Sequence, residues 1–276
     1  MVYHGNVDMK AAQRDRLQKT IRWARRLRAS LQPILDAHGK RVHFRPGSLG
    51  IAMVGLLHEW PQRGKSGLTN LDDIVADFDA MFAAHCRDIK QGRRTGEKAL
   101  QSFLIRESYK HGRQVEPVNV QSRHTNEPVE LTFITDEIPL PTAEGKIVCD
   151  VLALRRDGGR CVPVLLELKD DRQLTRLVEQ VDGYSVLMDQ HADLFAELFG
   201  ALLGEDIHFD GLTEKWIVWP AAGPGKDPQE DKLATKGIRV VTYEEQDGAY
   251  ALRIGGGHDA GPVRQPPRAT RRKARP

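Results

Sequence analysis

Three charged residues stand where a folded chain can least tolerate them. Asp150 lies inside the apolar run Ile147–Leu154, and Glu167 and Lys169 end a second run, Val162–Lys169. Both runs are almost continuously apolar, without the alternation of a half-solvated strand, so they predict central strands covered on both faces. A charge in such a strand must be paired or bound to a metal, because burying a lone ion is costly. The cluster Arg155-Arg156-Asp157-Gly158-Gly159-Arg160 between the runs reads as the turn of a hairpin. If the turn closes at Arg156 and Cys161, Asp150 lies opposite Glu167, and a two-residue step brings Lys169 to the same face. Two carboxylates and an ammonium then converge at one end of a buried hairpin. A turn of the same parity keeps that shared face; a slip of one residue destroys it.

The elements around the hairpin must position these groups. Asp170, with Gln173 three residues on, has the form of a capping box, which predicts a helix starting directly after Lys169. Its apolar side carries Leu174, Leu177, Val178, Val181 and Met188, and Gln180 and Tyr184 are neighbours four residues apart. One face of that helix can look back at the carboxylates. Upstream, Glu97–His111 predicts a helix with Leu100, Phe103 and Leu104 towards a core, and Glu97 sits where the helix dipole favours a carboxylate. A strand over Pro128–Pro139 leads into the hairpin. Beyond the central helix come a helix over His191–Leu203, a strand Lys215–Pro220, a short helix, and strands Ile238–Glu244 and Tyr250–Ile254.

The chain of 276 residues is 40% hydrophobic and 29% charged, the composition of a globular protein with a sizeable core. No signal-peptide pattern opens it, and its longest apolar run, Gly50–Leu57, is too short to span a bilayer. Three cysteines without CxxC spacing fit reduced thiols in a cytoplasm better than zinc or disulfides. Gly64-Lys65-Ser66 is no phosphate loop, since the required first glycine falls on Glu59.

The net charge of +3 is unevenly spread. Residues 1–96 hold 17 Lys/Arg against 9 Asp/Glu, residues 97–261 hold 18 against 29, and residues 262–276 hold six basic groups and no acid. Either the basic flanks meet a polyanion, or the basic front packs against the acidic remainder. The front predicts a helical region over residues 1–95. Ala11–His38 has an apolar stripe of Leu17, Ile21, Ala24, Leu27, Leu31 and Leu35, with Arg22, Arg25 and Arg26 among the cations on its other faces. Those cations are either a solvated face or a phosphate-contacting one. A strand over Arg41–Arg45 and helices near Ser48–Trp60 and Leu71–Lys90 follow. Gln91–Gly96 reads as a linker. The tail, residues 256–276 with Arg271, Arg272 and Lys273, predicts disorder and is either a nucleic-acid arm or a solubilising end.

The order helix, strand, strand with Asp150, strand with Glu167-Leu168-Lys169, helix, strand resembles the PD-(D/E)xK nuclease superfamily, the restriction-endonuclease-like fold. Gln180-Val181-Asp182-Gly183-Tyr184 is similar to the QxxxY element of its RecB-type branch. The resemblance covers residues 97–245, and Cys149 stands where the superfamily's name has Pro. It implies an α/β fold, a central mixed sheet flanked by helices, in a domain over residues 96–255. It also implies a metal-dependent deoxyribonuclease using Mg²⁺ or Mn²⁺. In that chemistry a hard dication neutralises charge at phosphorus and supplies an activated water. By resemblance, Asp150, Glu167 and the Leu168 carbonyl are metal ligands and Glu97 an outer one. Lys169 holds or deprotonates the attacking water, Gln180 orients the water or the DNA backbone, and Tyr184 braces the site. The N-terminal region is open to DNA, a partner or a second copy of the chain in a homodimer. Two alternatives stand beside this reading: a nuclease fold that only binds or scaffolds, and a helical regulator binding nucleic acid through the basic front and tail.

Overall fold

The computed structural model describes residues 8–56, 65–87, 96–110, 113, 120–122, 125–171, 176–221, 230–246 and 249–254. The chain opens with α1 (Met9–His38), capped by the Asp8 carboxylate, which accepts from Ala11 N. The expected stripe from Leu17 to Leu35 is buried to 2% exposure or less at all six positions. Its 3.6-residue period leaves one continuous apolar ridge, and that ridge packs along α6 (Ala192–Leu203) and β1 (Val42–Gly47).

The segment after β1 corrects an expectation. Gly50–Gly55 is a strand, β2, pairing antiparallel with β1 and with β3 (Lys65–Leu68), where the sequence suggested a helix near Ser48–Trp60. A short apolar run fits a buried strand as well as a helix, and here the tight Gly47–Gly50 turn decides for the hairpin. The helix expected over Leu71–Lys90 is two, α2 (Leu71–Ala76) and α3 (Phe78–Arg87), separated at Asp77. The proposed linker, up to residue 95, lies outside the described residues, as does the basic tail.

From α4 (Gly96–Lys110) onward the protein is α/β. A seven-stranded mixed sheet has the order β12-β11-β10-β9-β8-β5-β4, with β4 (Val120–Ser122), β5 (Thr125–Asp136), β8 (Val151–Asp157), β9 (Arg160–Leu168), β10 (Glu214–Pro220), β11 (Ile238–Gln246) and β12 (Ala249–Ile254). Its edge strands β4 and β12 approach each other, so the sheet curls. A small hairpin of β6 (Leu140–Thr142) and β7 (Gly145–Ile147) interrupts the path from β5 to β8. β9 runs parallel to β10, and β10 to β11, through α5 (Leu177–Gln190) with α6 and through α7 (Glu230–Thr235).

Helices cover both faces. Leu152, Leu154, Leu165, Ile217 and Trp219 point to the layer of α1, α5 and α6, in one apolar cluster that also takes in β1, β2, α2 and α3. The alternate residues Val151, Ala153, Val164, Leu166 and Leu168 pack under α4. Among the described residues no helix is long and apolar enough to cross a membrane.

Candidate active site

The hairpin closes as its sequence suggests. Asp157 pairs with Arg160 across Gly158 (φ 55) and Gly159 (φ 88), Arg156 pairs with Cys161, and the ladder runs to Val151 and Leu166. Both central residues need φ > 0, the mark of a two-residue turn whose twist suits a hairpin and which glycine adopts without strain. One step past the last pair stand Asp150 and Glu167, on the face of Leu152 and Leu165. Lys169 follows on that face, so parity and turn length together assemble the three charges.

Their contacts are specific. Glu167 is 2% exposed; its Oε1 accepts from Lys169 Nζ (2.9 Å) and Gln180 Nε2 (2.8 Å), while its buried Oε2 has no hydrogen-bond partner. Asp150 Oδ2 accepts from Leu168 N (2.9 Å), which ties the first carboxylate to the residue whose carbonyl is the expected ligand. Gln180, on α5, also donates to the Val148 carbonyl at 3.0 Å, so one amide links the segment before Asp150 to Glu167. From α4, Glu97 Oε1 lies 3.4 Å from Lys169 Nζ. The start of α4 fits closely: a Cβ on Gly96 would fall 2.7 Å from Asp170 Cβ.

Burial, reinforced by Asp150, pushes the Glu167 carboxyl up to about 7. Burial also raises Asp150 and Glu97 above their ordinary values. Burial works against the Lys169 ammonium, yet Glu167, Asp150 and Glu97 outweigh it and raise its pKa. Lys169 is therefore a firm cation between two acids.

Tyr184 is placed differently from Gln180. It is fully buried, its ring meets Phe195 edge-on, and its hydroxyl donates to the Ile138 carbonyl (2.8 Å), away from the carboxylates. The helix carrying both begins at Leu177, with Arg176 as its left-handed cap, so Asp170 does not cap it; residues 172–175 lie outside the described set. The N-terminal arginines are partly committed to α6. Arg25 pairs with Glu197 (2.7 Å) and Arg14 with Asp193 (3.2 Å), Arg28 donates to the Leu203 carbonyl, Arg26 lies over Trp23, and Arg22 is exposed. Here the basic front does pack against acidic partners. Arg271, Arg272 and Lys273 lie outside the described residues.

A second set of charges went unread in the sequence. Asp136, fully buried at the end of β5, takes a two-pronged bond from Arg45 (2.8 and 2.5 Å) and one from His43 Nε2 (2.9 Å), and Tyr109 Oη donates to His43 Nδ1 (2.7 Å). That arrangement uses the neutral imidazole, and burial lowers the His43 pKa accordingly. Burial would raise Asp136, but Arg45 and His43 outweigh it and hold the carboxyl well below its ordinary range. Glu137 accepts from Arg45 (2.6 Å) and from Lys98, and Lys98 stands 3.7 Å from Asp150 Oδ1. Gln101 completes the link, donating to Asp136 and to the Asp150 carbonyl (2.8 Å). The local signal was the Asp136-Glu137 pair closing an apolar strand one register step from Asp150, and Lys98 beside Glu97.

Among the described residues no three His, Cys, Asp or Glu side chains gather as a metal site of three such ligands. The donor set is a pair, Asp150 and Glu167, with an unsatisfied buried oxygen on the second. Two hard carboxylates suit Mg²⁺, which keeps several waters and needs few protein ligands. No family model matches the chain, and no curated protein or solved structure matches it significantly.

Proposed function

We propose that the protein is a metal-dependent nuclease of PD-(D/E)xK type, hydrolysing phosphodiester bonds, with DNA as the leading substrate. One observation carries the reading: the hairpin end is short of positive charge. Among the described residues, Asp150, Glu167, Glu97, Asp136 and Glu137 are ion-paired with Arg45, Lys98 and Lys169, and His43 is neutral, so these paired groups together carry two negative charges when all five acids are ionised. A buried deficit of that size fits one divalent cation.

Asp150 and Glu167 would hold Mg²⁺ or Mn²⁺, with the Leu168 carbonyl beside them. A cation there supplies neutralisation of charge at phosphorus and an activated water. The chain's own groups do the placing. Lys169, kept as an ammonium by three acids, donates N–H bonds to a water or phosphate oxygen. Gln180 fixes the orientation of Glu167 through Oε1, leaving Oε2 for the cation. Glu97 restrains Lys169 from the far side. Tyr184 ties α5 to the segment after β5 and handles no proton at the site.

The test is cleavage of linear, circular, single-stranded and RNA substrates with Mg²⁺ or Mn²⁺. Wild type should cut at least one. Lys169→Ala and Glu167→Ala should each lose about a hundredfold or more of the rate. Cleavage persisting in both variants, or none by wild type, overturns the reading. The two-ligand count favours one competitor, a nuclease fold that binds without cutting. That competitor predicts cation binding by calorimetry with no hydrolysis under any divalent ion.

A further inference from the structure

The hairpin supplies one ammonium beside Glu167, and α4 supplies another beside Asp150. Lys98 Nζ donates to Gln101 Oε1 at 2.8 Å and to Glu137 Oε1, and stands 3.7 Å from Asp150 Oδ1. Its anchors are fixed in turn. Glu137 accepts from Arg45 through its other oxygen, and Gln101, fully buried, is bonded to Asp136 and to the Asp150 carbonyl. The Lys98 side chain remains 34% exposed, whereas Asp136 and Gln101 behind it are sealed. Glu137 is shared between Lys98 and Arg45, which also grips Asp136.

A cation held on a rigid base, open to solvent, next to a proposed metal ligand, is the arrangement that grips an oxyanion. The geometry points to Lys98 as a second phosphate-binding residue, contacting a backbone phosphate of the nucleic-acid substrate on the Asp150 side while Lys169 serves the Glu167 side. This rests on the nuclease reading and deepens it. The substrate strand lies between two lysines fixed on different elements, α4 and the end of β9. Lys98 then sets how firmly and in which register the strand is held, and Lys169 stays with the reacting water.

The experiment uses the full chain and an oligonucleotide that wild type cleaves. Affinity is measured with Ca²⁺ replacing Mg²⁺, for wild type, Lys98→Ala and Lys98→Arg, on substrates carrying one neutral methylphosphonate at successive positions. Loss of a charge-assisted hydrogen bond should weaken binding about tenfold or more in Lys98→Ala, with Lys98→Arg retaining most of the affinity. At one position the methylphosphonate should weaken wild type and leave Lys98→Ala unaffected, because the contact is already gone. Thermal melting of Lys98→Ala separates lost contact from lost fold. If Lys98 serves only to steady Asp150, Lys98→Ala will shift the Mg²⁺ concentration for half-maximal rate and keep the wild-type methylphosphonate profile; that result overturns the assignment and leaves the nuclease intact. A wild type that cuts nothing removes both.

Discussion

Two carboxylate pairs stand at the same end of the curled sheet, and they have been treated in opposite ways. Asp136 and Glu137, closing β5, meet Arg45, His43 and Lys98, and Asp136 is held far below its ordinary range. Asp150 and Glu167, one strand and two strands away, share two lysines with other acids, and both are raised. The residue types are alike; what differs is how closely the cations are held, Arg45 gripping Asp136 through two bonds while Lys98 stands 3.7 Å from Asp150. A satisfied pair rigidifies a fold, and an unsatisfied one is a cost that persists where it has a use. The first pair is the foundation on which the second is kept short of charge.

The largest way to break this contrast is to take the cation from the satisfied pair. Arg45→Ala leaves Asp136 buried with a weak partner and should cost about 3–5 kcal/mol in urea unfolding. Loss below about 1 kcal/mol would mean the two pairs are not different in kind. Cleavage should fall along with stability, because Glu137 and Lys98 lose their anchor.

The second change relieves the unsatisfied pair. Glu167 folds with its pKa raised from 4.5 to about 7, so it stabilises below pH 4.5 and that contribution is lost as pH rises through about 7. Without divalent ions, wild type should therefore weaken between those pH values, and Glu167→Gln should weaken less, through Asp150 and Glu97 alone. At pH 8 the variant should be more stable by up to roughly 3 kcal/mol while cleaving nothing. Thermal melting against pH reads it directly, and a pH profile identical to wild type would sink the assignment of strain to Glu167. The smallest change tests a residue belonging to neither pair. Tyr184→Phe removes one bond to the Ile138 carbonyl and should cost about 1 kcal/mol of stability with turnover essentially retained.

Much of this was legible because it is local. The Gly158-Gly159 turn sets a register that two-residue parity carries to Asp150, Glu167 and Lys169, and the α1 stripe follows from its 3.6-residue period. What escaped is long-range or ambiguous. Arg45 and His43 reach Asp136 across 91 and 93 residues of sequence, and no period or spacing announces such a pair. Gly50–Gly55 is an apolar run too short to declare strand or helix. Asp170 has the composition of a helix cap and is not used as one, because the chain continues past Lys169 before α5 begins at Leu177.

The close fit at Gly96 gives the molecule a weak point that no charged residue reveals. With 2.7 Å between a would-be Cβ and Asp170, any side chain at this position acts as a wedge driven between α4 and the strand end. Glu97 and Lys98 would be levered off together, parting helix-borne groups from strand-borne ones. Gly96→Val would thus shift the start of α4 or Asp170 by steric contact alone, with every ionisable group still in the chain.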